Sequence, residues 1–219
     1  MRKTMFMMLV GLGASLVQAS SAKDDYTGVL LWPYVDEASF SGLAVNLFSA
    51  DFETFRGCAL TGLYLQDDVG QGASFSLVSA RSKTRFDGFE LAGIALEGGM
   101  FNGVFASALV TTGKHLRGYA GSIGWNDFDH VDGWSDGILY NRCGSVNGCQ
   151  TACGFAFCED SVNGAQIACV SVTRSELLGF QIGLVNYVGN SLEGVQIGLI
   201  NIAPGTLNLP LINCGSRTR

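Results

Sequence analysis

Proline is scarce in this chain, with three in 219 residues, and Pro33, Pro204 and Pro210 all lie outside the stretch from residue 42 to residue 201. Charge is thin as well: 15% of residues are charged, acidic exceed basic by 19 to 13, and the formal net charge is −6. A dilute negative charge argues against nucleic acid as a partner and names no other ligand. Only two histidines occur, and no Ser/His/Asp or Cys/His arrangement is marked out, so no catalytic constellation is expected. No Gly-rich strand-to-helix loop that could cradle a phosphate is present. The chain is read as a non-enzyme without a cofactor. A membrane anchor is the less favoured reading of the N-terminal segment, because the apolar run Met5 to Val17 falls short of the roughly 20 residues a bilayer requires.

What the chain has in plenty is glycine, thirty in all. One recurs every fifteen or sixteen residues, at Gly42, Gly57, Gly72, Gly88, Gly103, Gly118, Gly133, Gly148, Gly164, Gly179 and Gly194. Intervals this even mean small units stacked on one another, a quasi-one-dimensional array of eleven repeats over residues 42–201.

Columns emerge when each repeat is aligned on its glycine. Two residues before it stand Phe40, Phe55, Gly70, Phe86, Phe101, Leu116, Val131, Val146, Val162, Leu177 and Leu192, apolar in all but one repeat. That column calls for burial. Four residues after the glycine nothing larger than Asn46 or Thr61 occurs, down to Gly183 and Gly198, so little room is expected there. Two residues after it the last four repeats carry Gln150, Gln166, Gln181 and Gln196, a candidate ladder in which neighbouring repeats share one environment. Within Gly194-Val195-Gln196-Ile197-Gly198-Leu199 large apolar residues alternate with glycine or a polar residue, the period of a strand. Helix is disfavoured, since glycine costs about 1 kcal/mol per helical position relative to alanine. From each glycine to seven residues beyond it, the only charges are Glu90 and Asp136; the rest cluster in the connecting turns.

Residues 1–22 read as a cleaved secretory signal: Arg2 and Lys3, the apolar run, then Ser20-Ser21-Ala22. Cleavage would leave 11 basic against 19 acidic residues and a formal charge of −8. An exported chain with seven cysteines invites disulfides. Cys143 and Cys158 share one column of successive repeats, and Cys153 and Cys169 share another. If the repeats stack in parallel, each pair is about 4.8 Å apart, within disulfide range. Burial as free thiols is the alternative. The spacing of Cys149, Cys153 and Cys158 does not match paired-cysteine zinc knuckles. His115 and His130 also share a column, near Asp127, Asp129 and Asp132, where a divalent cation is conceivable but a solvated turn is the simpler reading; no metal site is assigned.

Residues 23–41, with Leu31-Trp32-Pro33-Tyr34, and residues 202–219, with Pro204 and Pro210, are expected to cap the array, because open ends would expose unpaired strand edges. The run Gly179-Phe180-Gln181-Ile182-Gly183-Leu184-Val185-Asn186, echoed at Gly194 to Asn201 and followed by Pro210-Leu211-Ile212-Asn213, resembles the bacterial surface repeat-containing proteins built on a G-[LF]-Q-[IL]-G-L-[VI]-N unit. The opening Leu31-Trp32-Pro33 and Gly42 to Phe48 are similar to the way such proteins begin. The middle of the chain departs from the unit, with Glu90, Phe105 and Ala120 where the glutamine stands elsewhere. The resemblance implies an exported protein of a Gram-negative bacterium, at the cell surface or outer membrane or in the periplasm, and it supplies no site residues.

Two architectures suit such repeats. In a β-solenoid each repeat is one coil; in a transmembrane β-barrel each would be one strand and a turn. The near-constant repeat length, the lack of aromatic girdles and the polar ending Ser216-Arg217-Thr218-Arg219 favour the solenoid, with the barrel as alternative. The expected function is correspondingly a surface scaffold offering itself to an unknown partner, the alternative being an outer-membrane pore or anchor. Polysaccharide-cleaving β-helix enzymes have longer coils with charged clusters, and an ice-binding solenoid would need a column of threonines that is absent here.

Overall fold

The computed structural model describes residues 17–20 and 25–216, and among them every regular element is a β-strand. The signal reading of residues 1–22 lies outside the described residues except for Val17–Ser20, which forms strand β1. Then follow β2 (Asp25–Thr61), β3 (Tyr64–Ser76), β4 (Ser79–Ala92), β5 (Ala95–Ser107), β6 (Val110–Ser122), β7 (Trp125–Gly137) and β8 (Tyr140–Thr151). Beyond Thr151 each coil divides into two strands: β9 (Phe155–Cys158), β10 (Ser161–Ile167), β11 (Val170–Thr173), β12 (Glu176–Ile182), β13 (Val185–Val188), β14 (Ser191–Gly198) and β15 (Ile200–Ile202), before β16 (Leu211–Gly215).

Neighbouring coils pair in parallel, glycine on glycine. Gly57 faces Gly72, Gly72 faces Gly88, and the glycine-on-glycine pairing continues through Gly164, Gly179 and Gly194. The chain is therefore an all-β solenoid of about eleven coils, roughly 50 Å long at about 4.8 Å per coil. The barrel alternative is overturned by that same register: a parallel neighbour fifteen residues on requires the chain to complete a circuit and return, whereas barrel strands run antiparallel to their sequence neighbours. Where a repeat has sixteen residues the additional one is taken up in the turn, as a register shift between Asp67 and Val69, and the columns stay aligned.

The glycine column marks a corner. All eleven glycines have φ between 120° and 146°, and the same conformation appears once more at Gly28, inside the segment expected to cap the array. At Gly133 (φ 137°) an added Cβ would overlap the carbonyl oxygen of Gly118, one coil earlier. Both the dihedral and the stacking distance thus demand glycine. The ends of the parallel ladder are covered by antiparallel strands, β1 along β2 and β16 along β14.

The core changes character along the rod. Toward the N-terminal end it is phenylalanine: Phe40, Phe52 and Phe55 stack with ring centroids 5.5–6.3 Å apart, and Phe101 lies 4.4 Å from Phe105. Gly70, the exception in the apolar column, leaves space that the Phe86 ring occupies. Toward the C-terminal end the core is an amide ladder. Gln166 donates to Gln150 (2.9 Å), Gln181 to Gln166 (2.7 Å), Gln196 to Gln181 (2.8 Å), and Asn213 of β16 donates to Gln196 (2.9 Å). All four glutamines are fully buried, so each amide must be paired, and the pairing fixes coil on coil.

Candidate interaction face

Burial uses only half of the apolar residues in each coil. The columns two before, two after and four after the glycine point inward. Those one, three, five and six after it point out, and they are mostly apolar too, with Asp136 and Thr151 among the exceptions. Leu47 and Leu139 are 65% exposed, Leu77 76% and Leu199 60%, with Phe48, Leu63, Phe75, Ile138, Phe180, Ile182 and Leu184 along the same face. The face follows the side of the coil after the glycine corner and the bend that ends it, and it runs the length of the rod. Exposed apolar surface on this scale is uncommon on monomeric soluble proteins, which makes this face the candidate interaction site.

Two open grooves score the face along the bend. The first, about 580 Å³, lies between Leu60 and Phe75 on one side and Leu77 on the other; the second, about 790 Å³, is walled by Ile167, Ile182, Ile197, Leu184 and Leu199. The small column, from Asn46, Thr61 and Ser76 to Ala168, Gly183 and Gly198, forms their floor. Between the grooves the face is filled by Tyr119 and Trp134, edge to face with ring centroids 5.9 Å apart. Trp134 Nε1 donates to Thr151 (2.9 Å), and Thr151 donates to Asp136 (2.7 Å), so the one carboxylate on this face is held by hydrogen bonds.

The remaining charges stack on the other sides of the coil. Arg142 bridges Asp127 (2.8 Å) and Glu159 (2.6 Å) across three coils, and Arg81 pairs with Glu97. His115 and His130 face each other in register as the spacing suggested, with ring centroids 5.9 Å apart. Their partners are Asp132 (3.0 Å) and Ser145 (2.6 Å) respectively, and the His115 hydrogen bond holds the Asp132 carboxyl below its ordinary range. Among the described residues no group of three His, Cys, Asp or Glu is placed to hold a metal ion.

The cysteine columns also come together. Cys143 and Cys158 are paired in register and fully buried, while Cys153 and Cys169 lie one coil apart and exposed on the apolar face. All seven cysteines are free thiols. Burial pushes the Cys143 thiol far up and the Cys158 thiol up to about 12, and Cys158 donates to the carbonyls of Gly144 and Ser161.

A buried acidic pair was not legible in the repeat. Glu90, in the glutamine column, is fully enclosed; burial pushes it up to about 8, the nearby Asp67 adds to this, and the Ser74 hydroxyl donating to it (3.0 Å) opposes it. Asp67 is raised by burial to about 7, opposed by the adjacent Ser82 hydroxyl, and its carboxyl oxygens have no hydrogen bond of good geometry among the described residues.

Compared with protein-family models, with curated proteins and with solved structures, this chain finds no match. The apolar face was not legible from the alternation: in Gly194 to Leu199 the large apolar set, with Ile197 and Leu199, points outward while Gln196 is buried, the reverse of the usual apolar-in, polar-out pattern.

Proposed function

We propose that this protein is a non-catalytic, exported scaffold of the bacterial cell envelope that works by presenting its long apolar face to another macromolecule. The observation that carries the reading is the segregation of the surface. The outward columns of the apolar face hold a single carboxylate, Asp136, among many exposed apolar side chains, and ion pairs such as Arg81 with Glu97 and Arg142 with Asp127 and Glu159 lie elsewhere. An enzyme site would gather polar and titratable groups in a cleft. Here neither groove has a titratable carboxyl, histidine or basic group in its lining, and the two carboxyls raised by burial, Asp67 and Glu90, are sealed in the core. Nucleic acid is disfavoured by the acidic balance. The resemblance to surface repeat proteins and the signal-like N-terminus support export.

The test is fractionation of cells expressing the chain with its own N-terminus, as wild type and as Leu77→Glu with Leu199→Glu. Recovery of the wild type in the envelope, with the variant released into aqueous buffer, is the expected result. Recovery of the wild type in the cytoplasm, or equal retention of both, overturns the reading.

A further inference from the structure

We infer that the apolar face pairs with the same face of a second copy of this chain, forming a face-to-face dimer of rods. The inference rests on the reading of that face as the contact surface and names its partner.

The area fits. Eleven coils at about 4.8 Å and five residue steps of about 3.3 Å across the face give roughly 50 by 16 Å, about 800 Å² per copy. Two such faces bury about 1,600 Å², the size of a standard specific interface. Relief and spacing fit as well. In one column of the face Leu47, Leu77, Ile123, Ile138, Leu184 and Leu199 project beside grooves of about 580 and 790 Å³, so the projecting side chains of one copy have a groove to enter on the other. A second copy carries the same spacing of about 4.8 Å from coil to coil, so the match holds along the whole rod rather than at one point. A twofold arrangement of this kind is closed and self-limiting. Tyr119 and Trp134 stand at the middle of the face, where interfaces concentrate their aromatic anchors.

Charge selects against a lipid surface. Proteins that lie on membranes flank the apolar face with Lys and Arg, which anionic headgroups attract. This chain is acidic overall, with a formal charge of −6, and no basic column borders the face. The same acidity does not oppose dimerisation, because only Asp136 lies on the face and Thr151 already bonds it. Cys153 and Cys169, exposed in the isolated chain, would be covered in the pair.

Sedimentation velocity of the purified chain over a concentration series tests the inference. A concentration-dependent dimer is expected, with alkylation of Cys153 and Cys169 slowing as it forms. Leu77→Glu with Leu199→Glu, and independently Leu139→Lys, are expected to raise the dissociation constant at least about a hundredfold, each introducing charge that the pair must bury unpaired. Lys114→Glu, exposed on β6 away from the apolar face, leaves it unchanged. Circular dichroism establishes that each variant retains the strand signal. A monomer at every concentration overturns the inference, as does a dimer indifferent to both apolar-face variants. Binding of a monomeric wild type to phosphatidylcholine vesicles assigns the face to lipid and likewise overturns it. Monomeric wild type with envelope retention still lost in the variants removes the dimer and keeps the scaffold reading; a dimer lost in the variants with retention unaffected does the reverse.

Discussion

Glu90 occupies the position that four later repeats give to glutamine, and the difference is one ionisable proton in a fully enclosed site. Because the folded chain holds that proton more tightly than the unfolded one, stability is complete below about pH 4.5. It then falls as pH rises toward about 8, by about 1.4 kcal/mol per pH unit for this group. Asp67 adds a similar slope from 3.8 to about 7. Glu90→Gln is expected to flatten the slope contributed by Glu90 and to raise stability at pH 8 by a few kcal/mol, measured by denaturant melts at a series of pH values. A steeper loss in the variant would place the carboxylate, not the acid, as the form the core prefers. At the corner, Gly133→Ala is expected to cost about 3 kcal/mol or more, since both the dihedral and the backbone of Gly118 oppose a Cβ. Gly205→Ala, where nothing lies within 4 Å of the added carbon, is expected to cost about 1 kcal/mol, the left-handed dihedral of 71° alone. Equal midpoint shifts for the two would mean that the stacked carbonyls yield.

Among the elements, β16 does more than cover an edge. Its Asn213 supplies the last donor of the glutamine ladder, so β16 is tied to β14 through the core as well as through its backbone. Asn213→Ala leaves the Gln196 oxygen without that donor, a loss of about 1–3 kcal/mol. In a stacked array the effect is local. Hydrogen exchange is therefore expected to accelerate in β14, β15 and β16, with β5 and β6 unchanged; uniform acceleration would show that the rod opens as one unit. The paired thiols of β8 and β9 differ from those on the face. With Cys143 and Cys158 buried and their ionisation suppressed, thiol reagents are expected to modify Cys153, Cys169 and Cys214 first, and Cys143 and Cys158 only on unfolding. Failure of Cys143 and Cys158 to react even in denaturant, until a reductant is added, would show that the protein joins them as a disulfide.

Over the whole molecule, an elongated rod with charge on some sides and a single carboxylate, Asp136, on another should respond to salt in a characteristic way. Exposed ladders such as Arg81 with Glu97 contribute little and are screened, whereas contact through the apolar face is maintained or strengthened by salting-out anions. The period, the inward column before the glycine and the amide ladder were all written in the sequence, because stacking repeats one environment at each column and so repeats the residue. Glycine at the corner was visible as a column, yet its cause, a Cβ that would strike the coil below, required the coils to be placed. Glu90 looked like a departure from a motif, and only the closed cross-section showed that it faces inward with Asp67. The apolar face was hidden for a related reason: alternation tells which residues point the same way, not which of the two directions is inside. The sequence alone determined a stacked strand array of fifteen-residue coils. Choosing solenoid over barrel, sealing the acids in and leaving a row of leucines outside were decisions of the tertiary structure, since each depends on where the chain goes after it turns.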